Sequence, residues 1–178
     1  MNRPLLSCIV AACLAFVPAM VAAEASDIVD NQKVSQLLTD AKSQAYQLKE
    51  DAWLLESFTR GGFSAESHAA VLNQVREHVN TLSKTLTKLE DSKGIASPWQ
   101  VIAIDRISPL LKELSNNTTA TINFMNKNRT KLNTPEYKEY VEMNAALASD
   151  MAGLVRDFVS YGRVKKEFDR LTTKLELN

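Results

Sequence analysis

Apolar residues return every three or four positions along almost the whole of this chain, and that spacing leaves few folds open to it. Val34, Leu38, Ala41, Ala45, Leu48, Ala52 and Leu55 follow one another at alternating steps of 4 and 3. Such a repeat lays one stripe along a helix and packs it as knobs into the holes of a facing helix. His68, Leu72, Val75, Val79, Leu82, Leu86 and Leu89 repeat the rhythm. Ile107, Leu111, Leu114, Thr118, Ile122 and Met125 carry it a third time. Tyr140, Asn144, Leu147, Met151, Leu154, Phe158, Tyr161, Lys165, Phe168, Thr172 and Leu175 carry it a fourth. Strands are not indicated.

The punctuation between these runs fits four helices. Gly61-Gly62 closes the first, since glycine tolerates the left-handed conformation that ends a helix. Ser64 is an N-cap residue, with Phe63 before it and His68 one turn in, the arrangement of a hydrophobic staple. Gly94 is expected to end the second helix. Ser97-Pro98-Trp99-Gln100 then combines an N-cap, a proline at the first helical position and a capping-box glutamine. The third helix is predicted to run to about Leu132, with a kink at Pro109. Thr134-Pro135-Glu136 opens the fourth by the same cap-then-proline signal. Gly153 and Gly162 lie inside it and are candidates for a close helix approach.

Connections this short force antiparallel neighbours. The expected fold is all-α, an up-down-up-down antiparallel four-helix bundle with a long fourth helix. Counted from the turns, residues 164–178 overhang the bundle unless they bend or pair.

The N-terminus reads as an address. Arg3 precedes an apolar run from Leu5 to Ala23, broken only by Ser7 and Pro18 and ending in Val21-Ala22-Ala23. A charged start, an apolar core and a small-residue end describe a cleaved signal peptide. The expected division is therefore a signal peptide at 1–23 and a bundle domain at 24–178, in a periplasmic or secreted protein. A retained anchor, or lipidation at Cys13 after Val10-Ala11-Ala12, are the competing readings. Both cysteines, Cys8 and Cys13, lie in this segment. The mature chain then holds no disulfide, no thiolate nucleophile and no cysteine-ligated metal. No second apolar run is long enough for a membrane span.

With 21 basic and 21 acidic side chains the formal charge is zero, so nothing favours nucleic acid. No Glu-x-x-His for a di-iron site, His-Glu-x-x-His, phosphate-binding glycine loop or Gly-x-Ser-x-Gly elbow is found. No catalytic or metal-binding residue and no cofactor is assigned, and the chain reads as non-enzymatic. If a small ligand or b-type haem were held, the candidates are His68 and Met125. They fall at one level on antiparallel helices, although a staple histidine and a core methionine explain them as well. His78 flanks its seam and reads as structural. Glu50-Asp51, Glu90-Asp91 and Asp105-Arg106 read as solvated faces. The polar stretch 115–121 is a poor helix former, and it faces the level of Asn144. A buried polar layer that fixes register is one reading; a polar ligand cavity or simple exposure are others. Asn116, Asn117 and Asn128 each begin an Asn-x-Thr sequon. Arg163, Lys165, Lys166, Arg170 and Lys174, interleaved with Glu167, Asp169 and Glu176, suggest a salt-bridged helix face, with weak membrane or partner attraction as the alternative.

Several strings carry a resemblance: Glu66-Ser67-His68-Ala69-Ala70, Ser97-Pro98-Trp99-Gln100 with Ile104-Asp105-Arg106, Thr134-Pro135-Glu136-Tyr137, and Arg156-Asp157-Phe158 through Tyr161-Gly162. They resemble uncharacterised exported helical proteins of the acidobacterial type. That resemblance implies a secreted helical bundle and transfers no functional residue. The Leu-Thr-x-x-Gln repeats of Spy-type periplasmic chaperones are missing, since Leu38-Thr39 is followed by Asp40-Ala41-Lys42. Chemoreceptor sensor bundles need a second membrane span. The expected activity is binding of another envelope or secreted protein, itself included, through a helix face or the C-terminal helix.

Overall fold

The computed structural model describes residues 30–177, so the signal peptide expected at 1–23 lies outside the described residues. Four α-helices follow in order: α1 (Gln32–Phe58), α2 (Ala65–Asp91), α3 (Pro98–Lys127) and α4 (Pro135–Leu175), with a 3-10 turn at Lys93–Ile95 between α2 and α3. No strand occurs among the described residues. α1 packs on α2 and α4, and α3 packs on the same two helices. This is the up-down-up-down antiparallel bundle that the short connections require.

The seams fill most of its core, but Leu86 of α2 and Ile122 of α3, expected on them, are only half-buried, and the neighbouring Thr85 and Thr121 are buried instead. The buried residues of α1 are the seven of its 4-3 repeat. Small buried side chains are concentrated on two of the helices. Ala41, Ala45 and Ala52 of α1 and Ala145, Ala148 and Ala152 of α4 are buried alongside Leu72, Val75, Val79 and Leu82 of α2 and Ile104, Ile107, Leu111 and Leu114 of α3. Alanine faces let two helix axes approach, because the axial distance follows side-chain size.

Boundaries differ from expectation in two places. α2 ends at Asp91, where Ser92 closes it: its backbone N–H donates to Leu89 O and its hydroxyl to Lys88 O at 2.7 Å. Gly94 therefore lies in the 3-10 turn rather than at a helix end. α3 stops at Lys127, short of Leu132, because the Asn128 amide turns back to donate to the Phe124 carbonyl at 3.0 Å. Leu132 is still buried, in the loop beside Tyr137 and Val141. Gly62 does take the left-handed conformation, at φ +57°. Pro109 sits on the exposed side of a helix that continues through it.

The α4 seam needs a larger correction. Its buried face is Tyr137, Val141, Asn144, Ala145, Leu147, Ala148, Met151, Ala152 and Val155. Tyr140, Leu154 and Phe158, expected on the seam, are only half-buried at its edge, and Tyr161 and Phe168 are exposed.

The ends of α1 and α3 are fastened together by polar groups. Gln100 is fully buried, and its Oε1 accepts from the Ser97 N–H at 2.9 Å, completing the capping-box contact, and from the Asn31 N–H at 3.1 Å. Its Nε2 donates to Asn31 O at 3.0 Å and to the Ser35 hydroxyl at 2.9 Å. One side chain thus caps α3 and anchors the start of α1. Gln100→Ala strands a buried backbone group at the start of α3 and part-buried ones at the start of α1, and a buried unpaired group costs about 1–3 kcal/mol. Urea unfolding should show a loss of about 2–4 kcal/mol; a loss below about 0.5 kcal/mol, the ordinary surface value, would contradict this role.

Candidate functional site

The residues singled out for a ligand lie at the end of the bundle where α1 leads into α2. His68, on the first turns of α2, is buried, and its Nδ1 lies 3.1 Å from the Tyr137 hydroxyl. Its ring meets Tyr137 and Phe58 edge-on, at centroid distances of 5.4 and 5.6 Å. Phe63 stacks on Phe58 at 4.0 Å, so the staple reaches His68 through Phe58. Met125 is buried in the cluster that Leu55, Leu72 and Tyr137 also fill. Burial lowers the His68 pKa below its ordinary value and pushes the Tyr137 phenol up to about 12. A neutral imidazole and a protonated phenol therefore share one buried hydrogen bond, the role of a core histidine.

The polar stretch on α3 resolves into a bonded layer. Thr118 and Thr121 are buried, as is Asn144 of α4. Thr118 Oγ1 donates to Asn144 Oδ1 at 2.9 Å, and Asn144 Nδ2 donates to Thr121 Oγ1 at 2.8 Å. The Thr121 hydroxyl donates in turn to Asn117 O at 2.7 Å, and the Asn117 amide to Tyr140 O at 2.9 Å. These groups satisfy one another across α3 and α4, as a register-fixing layer does. His78 pairs with Asp51 at 3.0 Å, joining α2 to α1. Glu90 is not simply solvated: it binds Lys93 and the Ser108 hydroxyl, and Lys93 also reaches Asp105 at 2.7 Å. Lys93 and the Ser108 hydroxyl lower the Glu90 pKa, and the set braces the turn between α2 and α3.

The most distinctive surface is the second half of α4. The buried positions Tyr137, Val141, Asn144, Ala148, Met151 and Val155 alternate by 4 and 3. Continued at the same steps, that seam passes through Phe158, Gly162, Lys165, Asp169, Thr172 and Glu176, which is polar from Lys165 onward. The apolar residues stand one position earlier, at Tyr161, Val164, Phe168, Leu171 and Leu175. One residue is about 100° of helix rotation. The stripe therefore turns away from the line of the core, and its members are 52, 63, 67, 39 and 58% exposed. Arg170 holds Glu167 at 2.7 Å and Lys165 holds Asp169 at 2.7 Å along the same segment. The helix then stops sharply: Glu176 adopts φ +53°, and the Leu177 N–H returns to Thr172 O at 3.1 Å.

The base of this overhang is clamped. Trp99, next to Gln100, lies edge-on to Tyr161 at 5.4 Å. Its indole N–H donates to Asp30 Oδ1, which also accepts from the Ser97 hydroxyl at 2.8 Å. A Cβ on Gly162 would fall 2.6 Å from the Trp99 ring, so this glycine marks a close approach. Gly153 has open space around it and marks none. Between the overhang and the first turns of α1 runs a groove of about 970 Å³, with Trp99, Ser35 and Leu38 on one side and Gly162, Lys166 and Asp169 on the other.

The expected core seam holds Tyr161, Phe168 and Leu175 and leaves out Val164 and Leu171. The signal was present, as a second 4-3 phase one residue ahead of the first. Asp30 gave none, since its partners lie 67 and 69 residues away. No protein-family model, no curated protein and no solved structure matches the chain.

Two outcomes follow from this geometry. Because the fold lowers the His68 pKa, its stabilising effect is complete above the unfolded pKa of about 6.5 and is lost as pH falls below it. Stability measured from about pH 7 to about pH 5 should drop more steeply in the wild type than in His68→Gln; parallel profiles would refute it. Gly162→Ala drives a methyl group into Trp99, which outweighs the helix-propensity gain of about 1 kcal/mol. In a Trp53→Phe background it should abolish the near-ultraviolet circular dichroism of Trp99; an unchanged spectrum would show that no clamp exists.

Proposed function

We propose that this is an exported, non-enzymatic helical-bundle protein that binds another envelope or secreted protein through its C-terminal helix. The observation that carries the reading is the exposed stripe Tyr161, Val164, Phe168, Leu171 and Leu175, held out of phase with the core of its own bundle. A contiguous row of large apolar side chains at heptad spacing is the surface that a second helix covers. Export rests on the character of residues 1–23, and no helix among the described residues is long and apolar enough to cross a membrane. The buried polar groups of the bundle, at His68–Tyr137 and Asn144–Thr118, bind one another rather than facing a ligand.

The test is in-cell crosslinking of the exported protein, followed by affinity capture and mass spectrometry, in wild type and in a chain lacking residues 164–178. The truncated chain keeps Val155, Trp99 and Tyr161 and should retain its helical circular dichroism and cooperative melting. A specific adduct should form with the wild type and vanish on truncation. An adduct of unchanged yield in the folded truncated chain would refute the C-terminal helix as the binding element.

A further inference from the structure

We infer that the helix covering the α4 stripe is the same stripe of a second copy, laid antiparallel to it. The inference deepens the reading above and rests on it. Assign Tyr161, Phe168 and Leu175 to heptad position a, and Val164 and Leu171 to position d. The flanking g positions are then Ser160, Glu167 and Lys174, and the e positions are Lys165 and Thr172.

An antiparallel pair sets a against d. With Phe168 opposite Leu171 of the second copy, Val164 falls opposite Leu175, and both pairs recur by symmetry. Four apolar layers result from eight side chains, each of them exposed in the single chain. In an antiparallel pair the g positions flank one another. This register brings Glu167 beside Lys174 of the second copy, and Lys174 beside its Glu167. Two unlike charge pairs thus guard the apolar seam. Glu167 already binds Arg170, but a carboxylate has lone pairs enough to accept a second cation.

The parallel arrangement lacks this agreement. There g faces e, so Ser160 meets Lys165 and Glu167 meets Thr172, and neither is an ion pair. Reach also favours the antiparallel form. From Gly162 to Leu175 the overhang is about 20 Å long. The overlap of Val164 with Leu175 uses that length and ends where Trp99 and Tyr161 mark the base of the bundle. A symmetric contact of this kind closes at two copies.

The test is sedimentation equilibrium of the exported chain over a concentration series, for the wild type, Phe168→Asp, Glu167→Lys, Lys174→Glu and the charge-swapped double variant. Circular dichroism reports that each is folded. A reversible dimer is expected in the wild type and its loss in Phe168→Asp. Each single charge reversal creates two like-charge contacts and should weaken association about tenfold, and the double variant should restore it. A dimer indifferent to the charge reversals, or weakened equally in the double variant, overturns the antiparallel register. A wild type monomeric throughout overturns self-pairing. In that case, crosslinking to a different protein that Phe168→Asp abolishes would leave the binding role of the stripe intact. Crosslinking that Phe168→Asp leaves unchanged would remove both.

Discussion

Ala41, Ala45 and Ala52 of α1 lie buried with Ala145, Ala148 and Ala152 of α4, and the course of the longest helix depends on that close contact. Small facing side chains let two helices pack closely, and α4 follows α1 as a rail. The rail ends at Gln32, the first residue of α1, while α4 has buried its last residue at Val155 and continues to Leu175. The bulk that alanine omits is supplied by leucine, isoleucine and valine on α2 and α3 and by the larger residues that α1 and α4 themselves bury, among them Leu38, Leu48, Leu147 and Met151. The overhang is therefore a consequence of helix lengths and of the α1–α4 contact, and no loop is needed to project it.

Polar groups decide the details that this packing leaves open. A 4-3 seam of similar apolar residues can slide by a heptad with modest change in buried area, but Asn144 finds Thr118 and Thr121 in one register only. At the other end, Gln100 and Asp30 tie the starts of α1 and α3 across the diagonal of the bundle. The same bonds hold Trp99 in place, and Trp99 sets the base of the overhang against Gly162. The orientation of the exposed stripe is thus linked through three residues to the polar contact that starts α1.

Much of this was legible from spacing. The seven buried residues of α1 could be named from the repeat alone, because one apolar phase runs through that segment without a rival. α4 carries two. Tyr140, Leu154 and Phe158 outweigh alanine on any hydrophobicity count, yet they stay at the edge of the core, and Ala145, Ala148 and Ala152 enter the cluster that Ala41, Ala45 and Ala52 of α1 share. A single-helix pattern cannot report the size of a neighbour. The same holds for Gln100: its capping role was visible three residues from Ser97, while its bonds to Asn31 and Ser35 depend on which helix start lies beside it. The polar stretch 115–121 showed its level with Asn144 but not whether its hydroxyls faced the core. The stripe at Tyr161, Val164, Phe168, Leu171 and Leu175 is visible as a repeat, but three of its members also fit the seam that starts at Tyr140, and spacing alone does not separate the two phases.

The phase slip in α4 also explains why the overhang does not fold back on its own bundle. To bury Val164, Phe168 and Leu171 against α1, the helix would have to rotate by about 100° below Val155. That rotation would carry the Gly162 face away from Trp99, and it would bring Ser160 and Glu167 toward the groove. A continuous α-helix cannot absorb such a twist without breaking backbone bonds, and α4 is unbroken from Pro135 to Leu175. The polar continuation of the seam, Lys165, Asp169 and Thr172, instead leaves the inner face wet, with Lys165 and Asp169 paired to each other. One helix thus presents two faces in succession, one that closes the bundle and one that the bundle touches only at its base, where Tyr161 meets Trp99 and Phe168 borders the groove beside Leu38.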